Sequence, residues 1–124
     1  MADILIIDDD RQMRRLLTRI LEGAGHTVRE GENGREGLKR FEEQRPALII
    51  TDIVMPDMEG IETIVSLRRD NPDLPIIAIS GGSDPVYLRA AASLGATAAL
   101  QKPFAPQALT ELVDGMLATA ARGE

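Results

Sequence analysis

The chain of 124 residues has no cysteine and no tryptophan, and only one tyrosine, two phenylalanines and one histidine. Without cysteine there is neither a disulfide nor a thiolate metal site, which fits a reducing compartment. With aromatics at 2%, the bases of a nucleic acid have almost nothing to stack on, and a formal net charge of −6 opposes a phosphate backbone. Direct nucleic-acid binding is therefore not expected. No basic stretch precedes the first apolar run, which is too short for a signal peptide, and no run nears the ~20 residues of a membrane span. A cytoplasmic location without membrane insertion is the resulting expectation. Low-complexity tracts, linkers, a P-loop and a Ser–His–Asp arrangement are missing as well. The length suits one domain, residues 1–124, with a core of its own.

What the chain does contain is alternation. Ile4–Ile7, Ala47–Ile50 and Pro75–Ile79 are short apolar runs of the kind that form strands buried on both faces. Thr27–Arg29 and Thr97–Leu100 are weaker and more polar, which suits the edges of a sheet. Between the runs lie helical patterns. Met13, Leu16, Leu17, Ile20, Leu21 and Ala24 recur at spacings of three and four, with Asp10 able to cap the start and Gly25 where a left-handed stop belongs. Leu38 and Phe41 mark a helix after Asn33, with "GENGREG" read as a turn and Asn33 as the cap, and Ile61, Ile64, Val65 and Arg68 mark a third. The fourth, Pro85 to Leu94, is alanine-rich with few large anchors; Leu109, Leu112, Val113, Met116, Leu117 and Ala120 define the fifth. Five strands alternating with five helices predict an α/β fold, doubly wound around a five-stranded parallel sheet. Right-handed crossovers with the second and fifth strands outermost give the order 2-1-3-4-5. In such sheets ligands sit beyond the carboxyl ends of the strands, where the strand order reverses. That point lies between the first and third strands.

The residues at those ends can do chemistry. Asp8 and Asp9 follow the first strand, Asp52 ends the third, Ser80 ends the fourth and Lys102 follows the fifth. Singly each has an ordinary explanation: an Asp after a strand is often a helix cap, a Ser a turn residue, a Lys a solvated charge. Together they are harder to dismiss. Three neighbouring carboxylates repel one another, and a divalent cation removes that conflict. Carboxylates, a backbone carbonyl oxygen, waters and a phosphate oxygen suit octahedral Mg²⁺. With an ammonium and a hydroxyl added, the set fits phosphoryl transfer, one carboxylate being the nucleophile that forms an acyl phosphate. His26, which opens an edge strand, reads as a surface residue.

"ILIIDDD", "LIITDIVMPDMEG", "IIAISGG" and "LQKPF" in this combination resemble the receiver domain of bacterial two-component response regulators. The likeness covers essentially the whole chain, in the proportions of the single-domain chemotaxis type, and implies the flavodoxin-like form of the fold predicted above. It implies that Asp52 is the phosphoacceptor, taking its phosphoryl group from a histidine kinase or a histidine phosphotransfer protein. Asp9, with Asp8 partly through water, would hold Mg²⁺ together with Asp52 and the main-chain carbonyl of Val54. Ser80 would be the switch hydroxyl, Lys102 would pair with the phosphoryl group, and Gly81 would leave the phosphate room to enter. Pro56 and Gly60 match the loop after the phosphoacceptor strand. The Lys102–Pro103 peptide would be cis, turning Lys102 into the site. Such a domain catalyses only its own phosphorylation and dephosphorylation.

Two departures follow from the same likeness. Where the family often carries an aromatic residue in the middle of the fifth strand, this chain has Ala99, so the usual aromatic swing is not available. Side chains two positions after the phosphoacceptor and two after the switch hydroxyl can orient the water that hydrolyses the acyl phosphate. Here they are Val54 and Gly82, neither of which can position a water, so a long-lived phosphorylated state is expected. The face made by the fourth helix, fifth strand and fifth helix is the expected output surface. Residues 81–124 carry only 7 charged side chains against 27 in residues 1–80, and low charge suits packing on a protein partner or on a second copy in a weak phosphorylation-dependent dimer. "SGGSD" supplies a flexible link from Ser80 into that face. Met1 and a complete fifth helix read as a stand-alone protein, the alternative being a receiver excised from a larger regulator or hybrid kinase. A remote alternative is a small haloacid-dehalogenase-like phosphatase with Asp8 as nucleophile. That family uses an Asp of the first strand and places further acids after a later one, whereas here the later acid, Asp52, stands alone.

Overall fold

The computed structural model describes residues 2–53, 59–81 and 86–121. Along them run β1 (Asp3–Ile7), α1 (Arg11–Gly23), β2 (Thr27–Gly31), α2 (Gly34–Glu43), β3 (Leu48–Asp52), α3 (Glu59–Asp70), β4 (Ile76–Ser80), α4 (Val86–Leu94), β5 (Ala98–Gln101) and α5 (Pro106–Ala121). All strand pairs are parallel, and the sheet runs β2-β1-β3-β4-β5, the order expected from the sequence. Burial sorts the strands as their composition suggested. Every residue of β3 and β4 is buried, whereas β2 and β5 at the edges are only partly covered.

Alternation along the strands feeds two cores, one on each face of the sheet. Leu5, Ile7, Ile49, Ile76 and Ala78 point toward Ile61, Ile64 and Leu67 of α3 and Ala91 of α4, with Leu38 and Phe41 of α2 packed alongside. Ile4, Ile6, Leu48, Ile50, Ile77 and Ile79 meet Leu17 and Leu21 of α1 and Leu109 and Val113 of α5. The helix boundaries have local causes. Asp10 Oδ1 accepts from the amides of Gln12 and Met13 at 2.9 and 3.4 Å, capping α1, and Asn33 Oδ1 accepts from Glu36 at 2.8 Å, capping α2. Helix α1 stops where Gly25 takes φ 95°, a left-handed conformation that glycine adopts without a Cβ clash.

Three expectations need correction. Leu16 and Val65, assigned to apolar helix faces, are 44% and 40% exposed. In α1 the fully buried stripe narrows to Leu17 and Leu21, and Leu16 falls to one side of it. His26 is a buried residue rather than a surface one. Its Nδ1 accepts from the Ala2 amide at 3.2 Å, and its Nε2 lies 3.4 Å from Asp114 Oδ1 of α5. The Nδ1 bond offsets part of the cost of burying an imidazole, while Nε2 makes no hydrogen bond and has Asp114 as a nearby polar group.

Candidate functional site

The carboxyl ends of β1 and β3 are neighbours because Ile7 pairs with Thr51, leaving Asp8 and Asp52 as the next residues out on adjacent strands. Asp52 faces Ile79 of β4, and β4 ends on Ser80. The ladder continues past β5, where the Lys102 amide donates to the Ser80 carbonyl at 2.8 Å and brings Lys102 to the same end of the sheet. The Lys102–Pro103 peptide is cis.

Among the described residues, Asp8, Asp9 and Asp52 form a group whose carboxylate oxygens all lie within 4.8 Å of one another. Asp8 is 1% and Asp52 6% exposed, whereas Asp9 is exposed. The Lys102 ammonium reaches between the two buried acids, 3.1 Å from Asp52 Oδ2 and 3.6 Å from Asp8 Oδ2. Burial pushes the Asp8 carboxyl up to about 6. The charges of Asp52 and Asp9 add to that rise, while the Asp10 amide, 2.8 Å from Asp8 Oδ1, and the Lys102 ammonium oppose it. For Lys102, burial disfavours the charge, but Asp52 and Asp8 outweigh it and hold the ammonium above its usual pKa.

Asp8 Oδ2 is buried with no hydrogen-bond partner. Three carboxylates beside one ammonium, with one buried oxygen making no hydrogen bond, are costly unless a further cation can share the site. Hard oxygen donors on two buried acids and one exposed acid fit Mg²⁺, which keeps several waters and takes one or two carboxylates directly. Ser80 is fully buried at the end of β4. Gly81 is exposed, and a Cβ there would lie 3.2 Å from Lys102 Cδ, so the glycine leaves the lysine stem its path. A side chain at Gly60 would run into the Asp52 carbonyl oxygen, which explains a glycine where α3 begins against the end of β3. Ala99 is exposed on β5 opposite Ala78. Val54, Pro56 and Gly82, and with them the link "SGGSD" beyond Gly81, lie outside the described residues.

One contact escaped the sequence reading. Arg14, one turn into α1, donates from Nη1 to the Asp8 carbonyl at 2.7 Å and from Nε to Glu30 Oε1 of β2 at 3.1 Å. The signal was a spacing of three to Leu17 and seven to Leu21, which sets an arginine on the buried stripe of the helix.

Comparison with known proteins agrees with this geometry. The family model for the response regulator receiver domain matches residues 4–114. The chain is 36% identical over 120 residues to the response regulator receiver protein CpdR of Brucella abortus, covering 97% of this chain and 100% of that one. It is 38% identical over 116 residues to the DNA-binding transcriptional regulator NtrC of Azospirillum brasilense, covering 94% of this chain but only 24% of the relative. A solved structure of a CheY-like response regulator receiver domain protein from Methanospirillum hungatei JF-1 superimposes with a TM-score of 0.92 at 29% identity, covering 100% of this chain and 99% of the other. The chain belongs to the response regulator receiver domain family, the phosphoacceptor module of two-component signalling.

Proposed function

We propose that Asp52 is the phosphoacceptor of this receiver and that its chemistry is shared among Asp8, Asp9, Ser80 and Lys102. An Asp52 oxygen attacks the phosphorus of a phosphohistidine, on a histidine kinase or a histidine phosphotransfer protein. The phosphorus–nitrogen bond breaks, the imidazole leaves and takes up a proton, and an acyl phosphate remains on Asp52. Mg²⁺, held by Asp9 and Asp52 with the Val54 carbonyl and with Asp8 through water, would offset the charge on the phosphoryl oxygens. Lys102, already 3.1 Å from Asp52 Oδ2, exchanges a carboxylate partner for a phosphoryl oxygen. The Ser80 hydroxyl donates to another, and Gly81 keeps the approach open. The chain catalyses its own phosphorylation and dephosphorylation and no other reaction.

The observation that carries this reading is the buried Asp8 Oδ2, which has no hydrogen bond and shares a single lysine ammonium with the Asp52 carboxylate. Three carboxylates against one ammonium leave an excess of negative charge that a divalent cation would offset before a phosphoryl group is added. The face of α4, β5 and α5 is proposed to meet the downstream protein, or a second copy in a weak dimer, in the cytoplasm. Incubation with radiolabelled acetyl phosphate and Mg²⁺ tests the assignment. Wild type should label and Asp52→Asn should not. Label retained by Asp52→Asn, and located on Asp8, would instead indicate a phosphatase of the first-strand-aspartate type.

A further inference from the structure

Asp9 is the exposed member of the acidic group, and among the described residues its carboxylate has no hydrogen bond to steady it. Its direction therefore depends on the backbone from which it springs. The Asp8 carbonyl and the Asp9 amide belong to one rigid, planar peptide. The Arg14 guanidinium grips that peptide by its carbonyl at 2.7 Å, and one residue earlier the Asp8 amide donates to the Gly31 carbonyl at 3.1 Å. Arg14 is itself held, since its Nε donates to Glu30 at 3.1 Å and its side chain is only 13% exposed. A charge-assisted bond to a carbonyl at this burial is a firm restraint.

We propose that Arg14 is a positioning residue for the cation site, fixing the Asp8–Asp9 peptide from outside so that both carboxylates are aimed before a cation arrives. The inference rests on the proposed function of that site. It also gives Glu30 of the edge strand β2 an indirect part, because the two donors of a planar guanidinium lock each other's direction. A lysine has one ammonium and no fixed fork, so it can satisfy the carbonyl or Glu30 without orienting one by the other. Supports of this kind, one step removed from the ligating atoms, commonly alter metal affinity by about 10–100-fold.

The sign of the effect separates this from plain electrostatics. Removing a positive charge beside a cation site would, by Coulomb's law alone, tighten Mg²⁺. Loss of a positioning residue weakens it. Mg²⁺ affinity is to be measured by isothermal titration calorimetry on wild type, Arg14→Gln and Arg14→Lys, with the thermal midpoint of each. The rate of labelling by acetyl phosphate is to be followed against Mg²⁺ concentration in the same proteins. We expect Arg14→Gln to weaken Mg²⁺ about tenfold. Arg14→Lys, with charge unchanged, should weaken it several-fold. At saturating Mg²⁺ both should label within about threefold of wild type, because Arg14 touches no reacting atom. Affinity that is unchanged or tighter in the variants overturns the inference, whatever happens to the thermal midpoint. If Arg14→Gln does not fold, Arg14→Lys alone decides by the same criterion. A wild type that neither binds Mg²⁺ nor labels overturns the functional reading and the inference with it, whereas a competent wild type with unaltered variants overturns the inference alone.

Discussion

At the scale of single residues, the acids and the lysine were legible because a parallel strand delivers its last side chain to a known end of the sheet. Asp8, Asp52, Ser80 and Lys102 needed only the strand assignments to be placed. Arg14 was harder to find, since an arginine in the first turns of a helix ordinarily points to water and only its spacing to Leu17 and Leu21 marks it. His26 misled for a related reason: its two partners, the Ala2 amide and Asp114, are 24 residues upstream in one case and far downstream in the other. Gly60 yields a prediction at this scale. A methyl group there must displace α3 from the Asp52 carbonyl oxygen. Gly60→Ala should lower stability in urea unfolding by about 1–3 kcal/mol and should slow phosphorylation by acetyl phosphate. A variant as stable and as fast as wild type would remove the steric explanation for this glycine. Val54 and Gly82 yield another. Decay of the phosphoprotein after donor removal should be faster in the double variant Val54→Asn with Gly82→Glu, and an unchanged lifetime would mean that these positions do not control the attacking water.

At the scale of elements, the central strands read clearly because both of their faces are covered and nothing polar interrupts them. Ends were less secure. The apolar run of the third strand begins at Ala47, which precedes β3 and is exposed, while β2 extends two residues beyond Arg29 to Gly31. Such ends are decided by pairing partners, which a single run of sequence does not contain. Helix α4 was the least anchored in sequence, and among its described side chains Ala91 joins the core with Ala90 packed against it. The α4 side chains described in the core are alanines, and an alanine has little apolar area to lose on shifting. Phosphorylation should therefore produce its largest amide chemical-shift changes, outside the site itself, in α4, β5 and α5. Changes confined to α1 and α2 would argue against that face as the output surface.

At the scale of the molecule, the site is built at the expense of stability. The Asp8 carboxyl, raised from 3.8 in an open chain to about 6 in the fold, binds its proton more tightly when the protein is folded. The stability this group contributes is fully present below 3.8 and is lost as pH rises through about 6. Without a divalent cation, raising pH from 5 to 7 should remove about 1 kcal/mol of stability on this account. Chemical denaturation in the presence of a chelator measures it. Asp8→Asn should flatten this dependence and exceed wild type in stability at pH 7, and Mg²⁺ at pH 7 should restore part of the loss in wild type only. A wild type that gains stability between pH 5 and 7 by more than Asp8→Asn does would contradict the assignment.

The buried imidazole of His26 has a use of a different kind. It is the chain's single histidine, wedged between the Ala2 amide and α5 on the side of the sheet opposite α3 and α4. Its Hε1 proton gives a single resonance downfield of the ring protons of the one tyrosine and two phenylalanines, with no tryptophan to crowd it. That resonance is an intrinsic, label-free gauge of how α5 sits against the sheet, and it can be followed in the same tube as the protein is phosphorylated and decays.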